Sequence, residues 1–156
     1  MDTIPSIFEV ALAQYGEKEK PGSGTNPDID RYHKYTGHPE WNEDVSWCSS
    51  AMNYCAFMAR LERSNNATAK SWMKIGNTVH DMQDARINNL IVLHNGDPNK
   101  WQGHVGLYVN HTSTRVWLLG GNQSNMFCIK AYSRKLVREN GIRQLSYHWK
   151  DTGPRE

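Results

Sequence analysis

The chain has 156 residues, with 18 Lys and Arg against 16 Asp and Glu for a net charge of +2, which is the length of one domain and too even a charge to favour a nucleic-acid partner. A mean hydropathy of -0.75 and short apolar runs such as Leu90-Ile91-Val92-Leu93 fall well below the roughly 20 apolar residues of a membrane span. Six Trp, seven Tyr and three Phe supply ample aromatic surface to bury, so a soluble, packed domain over 1–156 is expected and disorder is not.

Ala11-Leu12-Ala13 imitates a signal-peptidase site, but Asp2 stands where basic residues belong, and Pro5, Ser6 and Glu9 interrupt the apolar region. No signal peptide is read. Ile4, Ile7, Phe8, Ala11, Leu12 and Tyr15 follow helical spacing, with Thr3 as N-cap, Pro5 in the first turn and Gly16 as terminator. From Lys20 to Ser46 a long surface loop is expected, interrupted by a short helix over Asp28–Tyr35 after Asn26-Pro27. Trp47–Arg63 reads as a central buried helix carrying Cys48, Ala51, Met52, Cys55, Met58 and Ala59, with Asp44 and Ser46 as capping candidates. A further helix over Ala67–Ile75 stops at Gly76.

Strands follow at Ile87–Leu93, His104–Val109, Val116–Leu119, Met126–Tyr132 and Ile142–Tyr147, with a turn at His94–Pro98 and a hairpin through Asn110–Arg115. Helices first and strands afterwards predict an α+β domain with an antiparallel sheet.

Three cysteines are too few for a disulfide framework and fit synthesis in a reducing compartment. Cys48 and Cys55 lie seven residues apart on one helix, a rise of about 10 Å and beyond disulfide reach. Cys48 opens its helix, where partial positive charge and unpaired N–H groups favour thiolate. Taken alone it reads first as a small buried hydrophobe, the reading kept for Cys55 and Cys128.

Of seven histidines, His104 differs by starting a strand after Gly103, on the face opposite Val105, Leu107 and Val109. If Val109 pairs with Val116, the ladder brings Gly121 opposite His104 and Asn122 beside it. Asn122 then either orients the imidazole or accommodates a turn after Gly120-Gly121. Cys48, His104 and Asn122 are the expected nucleophile, base and orienting group. No His-Glu-x-x-His arrangement exists, so neither a metal nor another cofactor is expected, and a zinc amidase ranks last.

Trp47-Cys48-Ser49-Ser50-Ala51-Met52-Asn53-Tyr54, Ser71-Trp72, Gly103-His104-Val105-Gly106-Leu107-Tyr108-Val109 and Leu119-Gly120-Gly121-Asn122-Gln123-Ser124-Asn125 resemble, in that order, small bacterial and phage cysteine hydrolases of the CHAP and NlpC group. Tyr15-Gly16, Glu19-Lys20-Pro21-Gly22 and Asn26-Pro27 extend the resemblance toward the N-terminus. It implies a papain-like fold, with the Cys on a central helix packed against a C-terminal antiparallel sheet. It also implies hydrolysis of an amide in peptidoglycan, with the stem peptide as partner and neither membrane nor nucleic acid. Two departures stand out: Asn88-Asn89 where many relatives have Gly-Asp, and Gly120 where CHAP enzymes often carry an acid.

For the oxyanion, the Cys48 backbone N–H is one donor, and Asn42, six residues before the nucleophile, is a candidate second; Gln123 is a candidate lining residue instead. Trp41, Trp47 and Trp101 are candidate aromatic walls against sugar or peptide, with core packing the default reading for each. A phage lysin or a secreted antibacterial effector with a cognate immunity protein is the expected setting, made in the cytoplasm and acting at the wall. A catalytically inactive wall-binding module of the same fold is the alternative.

Overall fold

The computed structural model describes residues 3–154. Three α-helices precede six strands that form one antiparallel sheet in the order β1-β6-β2-β3-β4-β5, so the α+β arrangement holds. α1 spans Ile7–Ala13, and Ser6 rather than Thr3 is its N-cap, with the Ser6 hydroxyl accepting from the Glu9 N–H at 3.1 Å. α2, Pro27–Tyr32, is capped by Asn26 and runs into a 3-10 turn at His33–Thr36, where one continuous helix was expected. Gly37 ends that turn at φ 81°, a left-handed conformation that glycine adopts without steric cost.

α3, Cys48–Met58, is the central helix, shorter than the expected Trp47–Arg63 because Arg60 turns to φ 58°. Its N-cap is Trp47, which makes no capping side-chain hydrogen bond, so neither Asp44 nor Ser46 caps it. The segment expected as a helix over Ala67–Ile75 is a 3-10 helix, Ala69–Lys74.

The strands are β1 (Asn77–Thr78), β2 (Leu90–His94), β3 (Gly103–His111), β4 (Arg115–Gln123), β5 (Met126–Ser133) and β6 (Val137–Gln144). β1 was not foreseen, and β6 begins five residues before the expected Ile142. Two buried arginines explain β6: Arg138 donates to three loop carbonyls and Arg143 to the Ile75 and Gly76 carbonyls, so charge on this strand is hydrogen-bonded interior. One face of the sheet packs Val92, Val105, Leu107 and Leu119 under α3. The other packs Ile91, Leu93, Tyr108, Val116 and Leu118 into a second cluster.

Asn88, in the first departure from the related motif, has φ 85°. That conformation is natural for Gly, and Asn is the residue next most tolerant of it. Its carboxamide oxygen accepts from the Phe8 N–H at 3.2 Å and ties α1 to the lead-in of β2.

Gly120 and Gly121 lie inside β4, not in a turn, and Gly121 marks where the sheet meets α3. A methyl group at Gly121 would come within 2.7 Å of Trp47 Cε3 and 3.0 Å of Ala51 Cβ. Trp47 is fully buried, with Tyr32 stacked at 6.0 Å, and cannot give way. Gly121→Ala is therefore expected to lower stability by about 1–3 kcal/mol through overpacking, read as a lower denaturation midpoint. Unchanged stability would contradict this tight helix-to-sheet contact.

Candidate active site

The start of α3 places Cys48 beneath the sheet, 3% exposed, while β3 brings in His104 immediately after Gly103. Gly103 permits that approach, because any Cβ there would collide with the Leu93 carbonyl on β2. No side chain caps α3, so the N–H groups of its first turn have no side-chain partner at the helix end where Cys48 sits, a setting that favours negative charge.

The expected pairing of Val109 with Val116 is replaced by His111 with Val116, followed by a shift between Tyr108 and Asn110. A second irregularity lies in β4, where three steps from Gly120 to Gln123 face two steps from Cys128 to Met126. Asn122 is the extra residue, held at φ 57°. The bulge breaks the strand's alternation. Gly121 meets Trp47 and Ala51 on the helix side, and Asn122 stays on that side, donating its Nδ2 to Ser46 Oγ at 3.1 Å. Gln123 turns to the opposite face and takes the place expected for Asn122.

Gln123 is 1% exposed, and its Oε1 lies 2.8 Å from His104 Nε2. Its Nε2 donates to the carbonyls of Leu118 at 3.1 Å and Cys128 at 2.6 Å. Those acceptors fix the amide, so its oxygen faces the ring and His104 Nε2 must be the donor. Nδ1 is then the ring nitrogen available to Cys48. Tyr132 donates its phenol to the same Gln123 oxygen at 3.1 Å, and its ring lies 5.3 Å from that of His104. The Gly120 departure has a physical account as well: a Cβ at Gly120 would already touch Gln123 Oε1 at 3.4 Å and Gly106 Cα at 3.3 Å, so a longer side chain would crowd the amide.

Burial alone would raise the Cys48 thiol, but the charge and hydrogen bond of His104, with further bonds from the Val105 backbone and the Ser46 hydroxyl, bring it below its ordinary range. Burial would likewise lower His104, but Cys48 and the Gln123 hydrogen bond raise it. The two shifts favour a thiolate facing an imidazolium. Cys55 differs, since burial with no compensating charge pushes its thiol up.

The remaining expected residues separate. Trp47 is a core side chain, not a substrate wall. Asn42 holds its own loop: its carbonyl lies 3.0 Å from His33 Nε2, and its Oδ1 accepts from the Asp44 N–H at 2.9 Å. Trp41 stacks on His38 with centroids 3.5 Å apart. Trp101 is 61% exposed beside a cavity of about 530 Å³. Among the described residues, no three His, Cys, Asp or Glu side chains converge as metal ligands. Sequence reasoning missed Tyr132, and it assigned Gln123 to the substrate. The available signal was the run Gly120-Gly121-Asn122: Asn tolerates left-handed backbone, and one such residue carries the next side chain across the sheet.

No family model and no curated protein matches the chain. A solved structure does: NlpC1 from Trichomonas vaginalis, at 15% sequence identity and a TM-score of 0.49, over 94% of this chain and 46% of that one. The chain thus spans less than half the length of that structure.

Alkylation tests the pairing without a substrate. The rate of Cys48 modification by iodoacetamide should rise with pH through an inflection below the ordinary thiol range. Gln123→Ala should move that inflection upward, because the imidazolium loses the hydrogen bond that favours it, and Asn122→Ala should move it less. Equal shifts from the two variants would contradict the assignment of the orienting amide to Gln123.

Proposed function

We propose that the chain is a cysteine peptidase or amidase that hydrolyses an amide bond of peptidoglycan, with Cys48 as nucleophile, His104 as acid and base, and Gln123 as the residue that positions His104. The observation that carries this reading is the fixed contact of His104 Nε2 with Gln123 Oε1, which leaves Nδ1 to the lowered Cys48 thiol. The sequence resemblance to the CHAP and NlpC group supports the choice of peptidoglycan.

The Cys48 thiolate attacks the amide carbonyl carbon, and the oxyanion that forms is stabilised by the N–H groups at the start of α3. His104 Nδ1–H gives its proton to the departing amine nitrogen as the C–N bond breaks, leaving a thioester on Cys48. Nδ1 then takes a proton from water, and the hydroxide oxygen attacks the thioester carbonyl. Collapse of the second tetrahedral intermediate breaks the C–S bond and regenerates the thiolate and imidazolium. One water is consumed, and one carboxylic acid and one amine are formed.

The wall lies outside the cytoplasm, so the chain acts there after release as a phage lysin or delivery as an antibacterial effector. An effector would be matched in its producer by an immunity protein that covers the Cys48 site.

Digestion of purified peptidoglycan, with fragments identified by mass spectrometry, tests the function. Wild type should release fragments that have gained one water. Cys48→Ala should release none, whereas Cys55→Ala and Cys128→Ala should retain activity. Gln123→Ala is expected to lower kcat about a hundredfold with little change in KM, and Tyr132→Phe to lower it less. No release by wild type, or equal release by Cys48→Ala, would overturn the proposal. Binding to sacculi without release would identify a wall-binding module.

A further inference from the structure

A cavity of about 530 Å³ is lined by residues of the 3-10 helix Ala69–Lys74 and by Trp101. Both walls are attached to the catalytic elements. The Asn66 carbonyl accepts from the Ser49 hydroxyl at 2.7 Å, and the Trp72 indole N–H donates to the same hydroxyl at 2.9 Å, so this wall is bonded to the residue following Cys48. Trp101 lies three residues before His104.

The Trp101 loop is anchored rather than loose. Arg138, buried beneath it, donates to the carbonyls of Pro98 at 3.1 Å, Lys100 at 2.9 Å and Gln102 at 3.0 Å. A large aromatic side chain is thus 61% exposed on a loop held by three hydrogen bonds from a buried guanidinium. That is the construction of a contact surface, because the ordering cost is met before a ligand arrives. The lining also has a sign: Lys70 and Lys74 border the cavity, and no Asp or Glu does. The Met73 side chain adds an apolar wall, and Ser71 a hydroxyl.

We propose that this cavity binds the carboxylate-bearing part of the peptide substrate, with Lys70 and Lys74 pairing with its carboxylates and Trp101 covering its backbone. The inference rests on the reading of Cys48 as a peptide-cleaving nucleophile and gives that reading a substrate class: an acidic peptide in preference to a neutral one. Two ion pairs made by exposed lysines set the scale of discrimination at about fivefold, weakening as salt is added.

The test uses stem peptide released from purified peptidoglycan, with its carboxylates free or amidated. Hydrolysis is followed with wild type, a Lys70→Gln/Lys74→Gln double variant and a Lys70→Arg/Lys74→Arg double variant. Binding to Cys48→Ala chains with and without the Gln pair is measured by calorimetry. The free-carboxylate peptide should show a KM about fivefold higher with the Gln pair, little change in kcat, and recovery with the Arg pair. Amidation should raise the wild-type KM and make it insensitive to the Gln pair. Cleavage with a KM unmoved by the Gln pair or by amidation would overturn the site and leave the hydrolase reading standing. Lysine-dependent binding of the acidic peptide with no cleavage by wild type would support the site and overturn the reading of Cys48 as a nucleophile that cuts within the stem peptide. Equal lysine-dependent binding of a peptide-free polyanion would overturn the assignment to a peptide.

Discussion

The site depends on one buried carboxamide. Gln123 has both ends of its amide committed: the nitrogen to two strand carbonyls, the oxygen to His104 and Tyr132. An amide that could rotate would offer His104 a donor or an acceptor indifferently. This one offers only an acceptor, and the ring tautomer follows from it. The Cys48 thiol then meets a ring nitrogen free to carry or release a proton, which is what distinguishes it from Cys55 on the same helix.

That carboxamide is in place because β4 is irregular. Asn122, in left-handed backbone, adds one residue to the strand, so Asn122 turns toward Ser46 and the helix while Gln123 turns toward His104 and Tyr132. Gly120 leaves the space that the amide oxygen uses, and Gly121 lets the strand lie against Trp47 and Ala51. The run from Gly120 to Gln123 is therefore one device: two residues without side chains, one that bends the backbone, and one that reaches the ring. A regular strand would bury the amide under α3, away from the imidazole.

Much of this was legible in the sequence. The start of α3 at Cys48 followed from helical spacing, the position of His104 from alternation along β3, and the α+β class from the order of elements. The third member of the site was not, because the argument from alternation assumes a regular ladder and a bulge reverses faces beyond it. The role of Trp47 stayed open for a related reason: an aromatic next to a nucleophile reads as substrate wall or as core until its cluster with Tyr32 and Phe127 shows it to be core. The early start of β6 was hidden by Arg138, whose burial depends on carbonyls distant in sequence.

The protonation state of His104 tests the central claim most directly, and nitrogen-resolved NMR of the imidazole across pH reads it. The account predicts that Nε2 stays protonated throughout, held by Gln123, and that Nδ1 titrates above the ordinary histidine range while the Cys48 thiolate is present. Alkylation of Cys48 should remove that charge and lower the titration. A neutral ring carrying its proton on Nδ1, or a titration that alkylation does not move, would contradict the account.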